Sequence, residues 1–598
     1  MAVKQLTFNS RSDRSMKIRK IAIEFLESRQ MLVADPLTDL WMETACTDSA
    51  GPIAAEAEPQ YRVNQTPRVQ LGNAPLKGTP AFDGRDQIEI LWQTVAAGNG
   101  RDDSFLAEIR DAGSPNGPWR PSQPLQRIDT SIETRVIHSA VFTGLQWNHR
   151  YVYRVQHWRA GAIVNEYSST FETRLEPGDD ASFSFATYGD SAVPGQALQN
   201  FRKVQRAITA SDADFAVLLG DNIYESGTHQ EADIRFDPTL NPDATQWNAS
   251  SVDYLGFGNH DSYADKIGSA TRENYAMPFP EAGVNAFVSP PAGEYAEFSS
   301  SFDYGNVHFV TFDSNSAEIS RGEKRDTRIR EQAEYLLANL AASDAEWKIV
   351  YMHHPMLGSV KLQLYPDTNY LEILMPKLIE AGVDLIMTAD SHTFAWTYPV
   401  QGLNDTDGNN EIADSEVMFD GRSKFDFTKG SGPVQLISGT GGRDLRNDPF
   451  KQPVMAQAHS LDPARFPVES GFARVNVDRR RLSVQYISAE TGRIVGDLNQ
   501  NGARDAGEEY FAEFNIVDRS PNPDLNADGK VNSLDINRIC SALLAAESDA
   551  RFDLNEDGQV NRVDHQFLVS SVLKTTAGDA NLDGVVNSSD LVLGPAHK

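Results

Sequence analysis

The sequence predicts a chain of several domains: an all-β sandwich, then an α/β sandwich of sheets flanked by helices, then small EF-hand-like calcium repeats. Three observations predict it. From 61 to 174, short alternating apolar and polar runs are cut by Gly, Pro and Asn; from 183 to 488, strand-length apolar runs alternate with segments of helical period; and from 519 onward one acidic template recurs. A chain of 598 residues has room for about four domains, and 40% hydrophobic with 9% aromatic content supports packed cores.

Taken in order, residues 1–34 place Arg11, Arg14, Lys17, Arg19 and Lys20 ahead of a short apolar stretch at 21–26 that Glu24 interrupts. That stretch is too short and too acidic for an ordinary secretory core. The run 19–34 nevertheless resembles the start segments of a class of exported proteins, which implies an export segment over 1–34 and processing near Ala34. Residues 35–60, rich in Ala, Glu, Pro and Asp without periodicity, read as a linker.

The span 61–175 is expected to be a β-sandwich, with strands at 88–94, 135–142, 151–155 and 168–173. The run 145–155, Leu-Gln-Trp-Asn-His-Arg-Tyr-Val-Tyr-Arg-Val, resembles the late strands of a fibronectin type III module. Within 180–518, Leu198, Phe201, Val204 and Ile208 recur at helical spacing, as do Leu336, Leu337 and Leu340, and a third helix is expected over 370–381. The segment 300–312 reads as a hairpin turning at Gly305-Asn306, and long loops are expected at 225–246 and 444–460.

The region 519–598 carries the repeat. Asp524, Asn526, Asp528, Asn532 and Asp535 share their spacing with Asp553, Asn555, Asp557, Asn561 and Asp564, and again with Asp579, Asn581, Asp583, Asn587 and Asp590. Oxygen donors at positions 1, 3, 5, 9 and 12 with Gly at 6 form a calcium loop. An earlier copy, Asp497, Asn499, Asn501, Asp505 and Glu508, lies between two expected strands and reads as a calcium-pinned hairpin loop. Ile536, Ile539, Leu543 and Leu544, then Phe567, Leu568 and Val572, fit short helices after the first two loops. This pairing resembles type I dockerin modules, which implies a tether to a cohesin-like or cell-surface partner. The third copy ends almost at Lys598 and departs from the pattern there.

A net charge of -30 argues against binding nucleic acid or an anionic membrane. Two cysteines, Cys46 and Cys540, exclude a disulfide framework or a Cys-rich zinc site, and no run reaches the 18 apolar residues of a membrane span. The chemistry is carried instead by five short segments: Gly189-Asp190, Gly220-Asp221-Asn222-Ile223-Tyr224, Gly258-Asn259-His260-Asp261, Val350-Tyr351-Met352-His353 and Ala389-Asp390-Ser391-His392. Each ends an apolar run that reads as a strand, which places O and N donors on loops at the carboxyl edge of a sheet. Two cations held close together need one bridging carboxylate and several O and N ligands around them, and these segments supply both.

In order and type the five segments resemble the purple acid phosphatase family of metallophosphoesterases, over roughly 61–517, and the preceding sandwich resembles the arrangement of its plant-type members. The resemblance implies that Asp190, Tyr224 and His392 hold a first metal, that Asp221 bridges, that Asn259 and His353 hold a second, and that catalytic His260 faces the substrate. A phenolate suits Fe(III), whereas Asn and His suit divalent Zn, Mn or Fe. One position departs: where the family has Gly-His-x-His, this chain has Ala389-Asp390-Ser391-His392. Asp390 is expected to ligate the second ion, favouring Mn or Mg over Zn; the other reading is that it points away and leaves that site weak. His354 is expected to stand behind the ligands, and His138, His157 and His308 to serve packing. The implied activity is hydrolysis of small phosphate monoesters by metal-activated water in an exported protein located outside the cell, at its surface or in the periplasm. Two other readings stay open: a phosphodiesterase acting on nucleotides or lipid head groups, and a non-catalytic, calcium-dependent adhesion or scaffold protein.

Overall fold

Period-two burial pulls the first described part of the chain into two facing sheets. A computed structural model describes residues 59–576 except 100–102, 131, 133, 193, 196, 266, 277–280, 290–298, 316–322, 359–369, 407–411, 413, 447–452, 459–468, 509, 527–530 and 556–557. The expected export segment, most of the expected linker, and the third calcium repeat with Asp579, Asn581, Asp583, Asn587 and Asp590 lie outside the described residues, as do Asp528 and Asp557.

The sandwich has eight strands: β1 (Pro59–Gln70), β2 (Asp86–Asn99), β3 (Asp103–Asp111), β4 (Arg120–Pro121), β5 (Gln126–Asp129), β6 (Arg135–Leu145), β7 (Arg150–Arg159) and β8 (Ala162–Glu172). One sheet runs β1-β2-β6-β5 and the other β4-β3-β7-β8. Ile88, Ile90, Trp92, Ile109, Phe142, Tyr153 and Phe171 fill the space between them. Only four of these strands are read from the sequence. The stretch of β3 is rich in charge, which masks the alternation of Phe105, Ala107 and Ile109, and β5 is a four-residue, mostly exposed edge. His138 stacks on Trp92 at 5.3 Å, and burial holds its imidazole down to about 4. His157 pairs with Asp103 at 3.1 Å, and fully buried His308 with Asp303 at 2.7 Å.

The α/β part is built from β9 (Phe183–Tyr188), α1 (Ala197–Thr209), β10 (Phe215–Leu219), α2 (His229–Phe236), α3 (Pro242–Asn248), β11 (Asp253–Gly256), α4 (Ser269–Asn274), β12 (Ser301–Tyr304), β13 (Val307–Thr311), α5 (Glu323–Ala342), β14 (Trp347–Tyr351), α6 (Tyr370–Glu380) and β15 (Leu385–Thr388). It continues through β16 (Phe394–Thr397), β17 (Val400–Leu403), β18 (Val417–Phe419), β19 (Asp426–Thr428), β20 (Val434–Ser438), β21 (Met455–Ala458), β22 (Gly471–Asp478), β23 (Arg481–Ser488) and β24 (Glu513–Val517). Two seven-stranded sheets result, β11-β10-β9-β22-β23-β24-β19 and β12-β13-β14-β15-β20-β16-β21.

Both faces of the central strands are covered, which is why Phe215–Leu219 is apolar throughout. Phe185, Val217, Phe309, Ile349 and Leu385 meet between the sheets. Ala186, Ala216 and Leu218 turn outward onto α1, α2 and α3, while Val310, Val350 and Ile386 turn onto α5 and α6. The hairpin at Gly305-Asn306 forms as expected, with Tyr304 paired to Val307. The expected loop 225–246 is a correction: α2 and α3 occupy most of it. A capping box at Thr228 and Glu231, and Asn241 ahead of Pro242, start two short helices in a stretch too polar to show a helical period. Likewise β21 lies within 444–460.

After β24 come α7 (Ser533–Leu544) and α8 (Arg562–Phe567), each started by the Asn at position 9 of a calcium-type loop. Ile539 and Leu568 pack into a small core with Leu525, Phe552 and Leu554, whereas Leu544 and Phe567 are exposed. Among the described residues no helix is long and apolar enough to cross a membrane.

Candidate metal centre

Parallel strands bring their carboxyl ends to one edge, and the loops that leave them there carry every side chain of interest. β9, β10 and β11 run parallel in one sheet, and β13, β14, β15 and β20 in the other. Asp190 lies just beyond β9, Asp221 and Tyr224 beyond β10, Asn259 and His260 beyond β11, His353 and His354 beyond β14, and Asp390 and His392 beyond β15. Main-chain hydrogen bonds knit these loops together: Gly189 N–H to Ser438 O at 2.9 Å, Asp190 N–H to Gly220 O at 3.2 Å and Ala389 N–H to His353 O at 2.8 Å.

The side chains converge. The Tyr224 hydroxyl donates to Asp221 Oδ2 at 2.6 Å and to Asp190 Oδ1 at 3.0 Å, two distances that one proton shares. His392 Nε2 lies 3.4 Å from Asp190 Oδ1 while its Nδ1 meets the Asp444 carbonyl at 3.0 Å. His353 Nδ1–H donates to the Leu219 carbonyl at 2.7 Å, which turns Nε2 inward to 3.1 Å from Asn259 Oδ1, 3.3 Å from Asp221 Oδ1 and 3.6 Å from Asp390 Oδ1. Asn259 Nδ2 is held by the Tyr263 hydroxyl, so its carbonyl faces the centre. His260 Nε2 approaches Asp221 Oδ2 to 3.9 Å and its Nδ1 bonds the Glu225 carbonyl at 2.6 Å. His260 is the most exposed of these rings.

Close approach restricts the loops. A side chain at Gly258 would place its Cβ 2.1 Å from Asp221 N, and one at Gly439 would reach 2.5 Å from Asp190 Oδ2. That Asp190 oxygen is buried without a hydrogen-bond partner. Buried anionic oxygen is costly unless a positive charge meets it. Burial opposes charge on His353, yet Asp221, with Asp190 and Asp390 behind it, outweighs burial and lifts the imidazole to about 10. Burial and the same carboxylates push the Tyr224 phenol well up. Burial would raise the Asp221 carboxyl, but His353 holds it well below the usual range. A nest that draws protons this strongly suits cations, and a cation at Tyr224 would reverse the phenol's shift. Two sets have ligand atoms within 4.8 Å of one another: Asp190, Asp221 and His353, and His353, His354 and Asp390.

Three contributors escape the sequence reading. Asp261 accepts five hydrogen bonds, from Asn222 N, Ile223 N and the Thr271 hydroxyl on Oδ1, and from Gly258 N and Asn222 Nδ2 on Oδ2, at 2.9–3.2 Å. It ties the loops that carry Asp221 and Asn259. Burial, then the Asp221 charge, raises its carboxyl to about 7. Ser314 holds His354 through ring Nδ1 at 2.8 Å and main-chain N at 3.0 Å. Arg443 lies over the Tyr224 ring at 4.9 Å and donates to Glu225 at 2.5 Å, a cation at the rim. The Gly-rich run 439–442 after β20 was the overlooked signal for Arg443, and Asp261 closes a motif already singled out.

The calcium-type loops share one hydrogen-bond pattern. In each, one oxygen of the position-12 carboxylate accepts the N–H groups of positions 2 and 3, and the other accepts that of position 9: Asp535 from Leu525, Asn526 and Asn532; Asp564 from Leu554, Asn555 and Asn561; Glu508 from Leu498, Asn499 and Asp505. Asn499 and Asn501 both reach Asp505, and Asp497 accepts from Asn501 N and Gly502 N.

Residues 185–394 match the Calcineurin-like phosphoesterase family and residues 522–573 the Dockerin type I domain. Purple acid phosphatase 17 of Arabidopsis thaliana is 28% identical over 225 residues, covering 36% of this chain and 65% of that protein. Tartrate-resistant acid phosphatase type 5 of Mus musculus is 22% identical over 215 residues, covering 34% of this chain and 63% of the mouse protein. The matches therefore span just under two thirds of these relatives. The purple acid phosphatase from yellow lupin (Lupinus luteus) seeds shares the fold at a TM-score of 0.53 and 16% identity, over 76% of this chain and 74% of its own. The chain thus carries a metallophosphoesterase domain with purple acid phosphatase homologues, and a dockerin type I domain at its carboxyl end.

Proposed function

With a metallophosphoesterase domain as the premise, we propose that this protein hydrolyses small phosphate monoesters at a dinuclear metal centre, outside the cytoplasm, and that its carboxyl-terminal calcium repeats tether it to a cohesin-type partner. The observation that carries the reading is that Asp190, Asp221, Tyr224, Asn259, His353, Asp390 and His392 are linked through contacts of 2.6–3.6 Å, with an unpartnered Asp190 oxygen among them. Asp190, Tyr224 and His392 would hold the first ion, Asn259, His353 and Asp390 the second, and Asp221 would lie between. Two bound cations would supply Lewis acidity to water and to the phosphoryl oxygens.

The chain's own groups do the rest. His260, whose Nδ1 bonds the Glu225 carbonyl and whose Nε2 lies 3.9 Å from Asp221, would give a proton to the leaving oxygen. Arg443 offers a charge for a phosphate oxygen, in a chain whose overall field repels phosphate. The twin hydrogen-bond frames of the loops 524–535 and 553–564 support calcium there, and the same frame at 497–508 extends that reading to the hairpin before β24.

The test loads the full chain with Fe, Mn or Zn, counts metal per chain, and assays a panel of aryl phosphates and phosphodiesters. Two ions per chain, turnover of monoesters, and loss of turnover by more than 100-fold in Asp221→Asn are expected. Metal binding without turnover on any ester would sink the catalytic reading and leave a scaffold.

A further inference from the structure

His353 and His354 are consecutive, and in a strand their rings would face opposite ways. Here the strand ends at Tyr351 and the chain turns, so the rings lie 4.9 Å apart at 77°. His354 is thereby brought to the same side as Asp390, and His353, His354 and Asp390 have ligand atoms within 4.8 Å of one another. Asp390 sits at φ 61° in the left-handed region, and its Oδ1 lies 3.6 Å from His353 Nε2.

Resting on the dinuclear reading above, we infer that His354 is a direct ligand of the second metal ion, completing a two-histidine, one-carboxylate face with His353 and Asp390. His353 Nε2 has Asn259, Asp221 and Asp390 all within 3.6 Å and can serve one ion only. Without His354 the second ion would meet a single imidazole among carboxylate and amide oxygens, a set that suits Mg or Mn. With it the site is richer in nitrogen, suits Fe(II), Mn or Zn, and discriminates against Mg. Ser314 supplies the support that ligating imidazoles need: its Oγ accepts the His354 main-chain N–H and lies 2.8 Å from Nδ1, and in the tautomer that carries its proton on Nδ1 the Nε2 lone pair would be open to the ion. Ser314 therefore acts as a positioning residue.

The experiment measures metal directly on the full chain, as wild type, His354→Ala, His354→Asn and Ser314→Ala. Metal per chain is counted after equilibration with Zn or Mg, the second equivalent of Co(II) is titrated, and exchangeable imidazole N–H signals shifted by bound Co(II) are counted by proton NMR. Wild type should hold two Zn but fail to fill the second site with Mg. Both His354 variants should keep the first equivalent, which reports an intact fold, weaken the second by at least about 10–100-fold, and lose one shifted N–H signal; Ser314→Ala should keep the signal and weaken the ion less. Variants that hold two equivalents with wild-type affinity and the same number of signals would overturn the ligand role while leaving the dinuclear reading intact. A wild type that binds one ion would overturn the dinuclear reading, and the N–H count in the variants would still decide His354. A wild type that binds none overturns both.

Discussion

Four of the side chains at the centre sit on backbone that L-residues seldom adopt: Asp190 at φ 59°, Asp221 at 53°, Asp390 at 61° and His392 at 46°. Each such residue costs about 1–3 kcal/mol, and Asp tolerates the conformation better than His because its short carboxylate bonds locally. At Asp221 the strain persists because Asp261 fixes the main chain of the two residues that follow it. Asp261→Asn would turn an NH2 group toward the Gly258 and Asn222 donors and leave those two donors without their acceptor. The expected outcome is a fold retained by circular dichroism with metal affinity lowered about 10–100-fold by titration; unchanged affinity would show that the acid serves only its turn. At this scale the identity of the candidate ligands was legible, because Asp, Asn, His and Tyr at strand ends have few other common reasons to recur in that order. The support was not legible. Nothing in the residue types of Asp261, Ser314 or Arg443 says which loop each will face.

Elements explain why the ligands can be so close. The two sheets touch at Gly189 and Ser438, and parallel strands deliver successive loops to one edge without further design. Helix α2 then holds the loop that leaves Tyr224: Glu231 accepts from Glu225 N at 2.7 Å, Ser226 N at 3.1 Å, Thr228 N at 2.9 Å and the Thr228 hydroxyl at 2.8 Å. Glu231→Ala removes the side-chain half of the capping box and strands four donors, while the Thr228 hydroxyl keeps the main-chain N–H of position 231. A loss of about 1–3 kcal/mol in chemical denaturation is expected, with two metals per chain retained; a loss of metal as well would mean that the loop, and not only the helix, depends on the cap. Strongly periodic elements such as α1 and the buried β10 were legible from their apolar spacing. Short polar helices and charged edge strands were not, since their reasons to form are single caps and pairings with distant strands.

Across the whole molecule, the sandwich and the α/β sheets are joined by charge pairs, one buried and one half-buried. Arg174, at the end of the sandwich, pairs with Asp86 at the start of β2 at 2.7 Å and donates to the Asp303 carbonyl of β12 at 3.1 Å. Arg135 of β6 forks onto Asp233 of α2 at 2.8 and 2.7 Å. Removing one partner of such a pair leaves a charge buried alone, so Arg174→Ala should cost about 3–5 kcal/mol. Urea unfolding followed by tryptophan fluorescence checks it, and an unchanged midpoint would mean that water reaches Asp86 freely. These pairs fix the sandwich to the α/β body, so that it is not hung from it.

The order of domains, the strand-end placement of the candidate ligands and the calcium template were determined by sequence alone, because each depends on local spacing: period two, period 3.6, or donors at set positions in a twelve-residue loop. Tertiary structure decided which groups meet. The second imidazole beside Asp390, the carboxylate beneath Asp221 and the arginine over Tyr224 come from loops far apart in the chain, and their meeting follows from the packing of two sheets and the turn after β14, which no local pattern encodes.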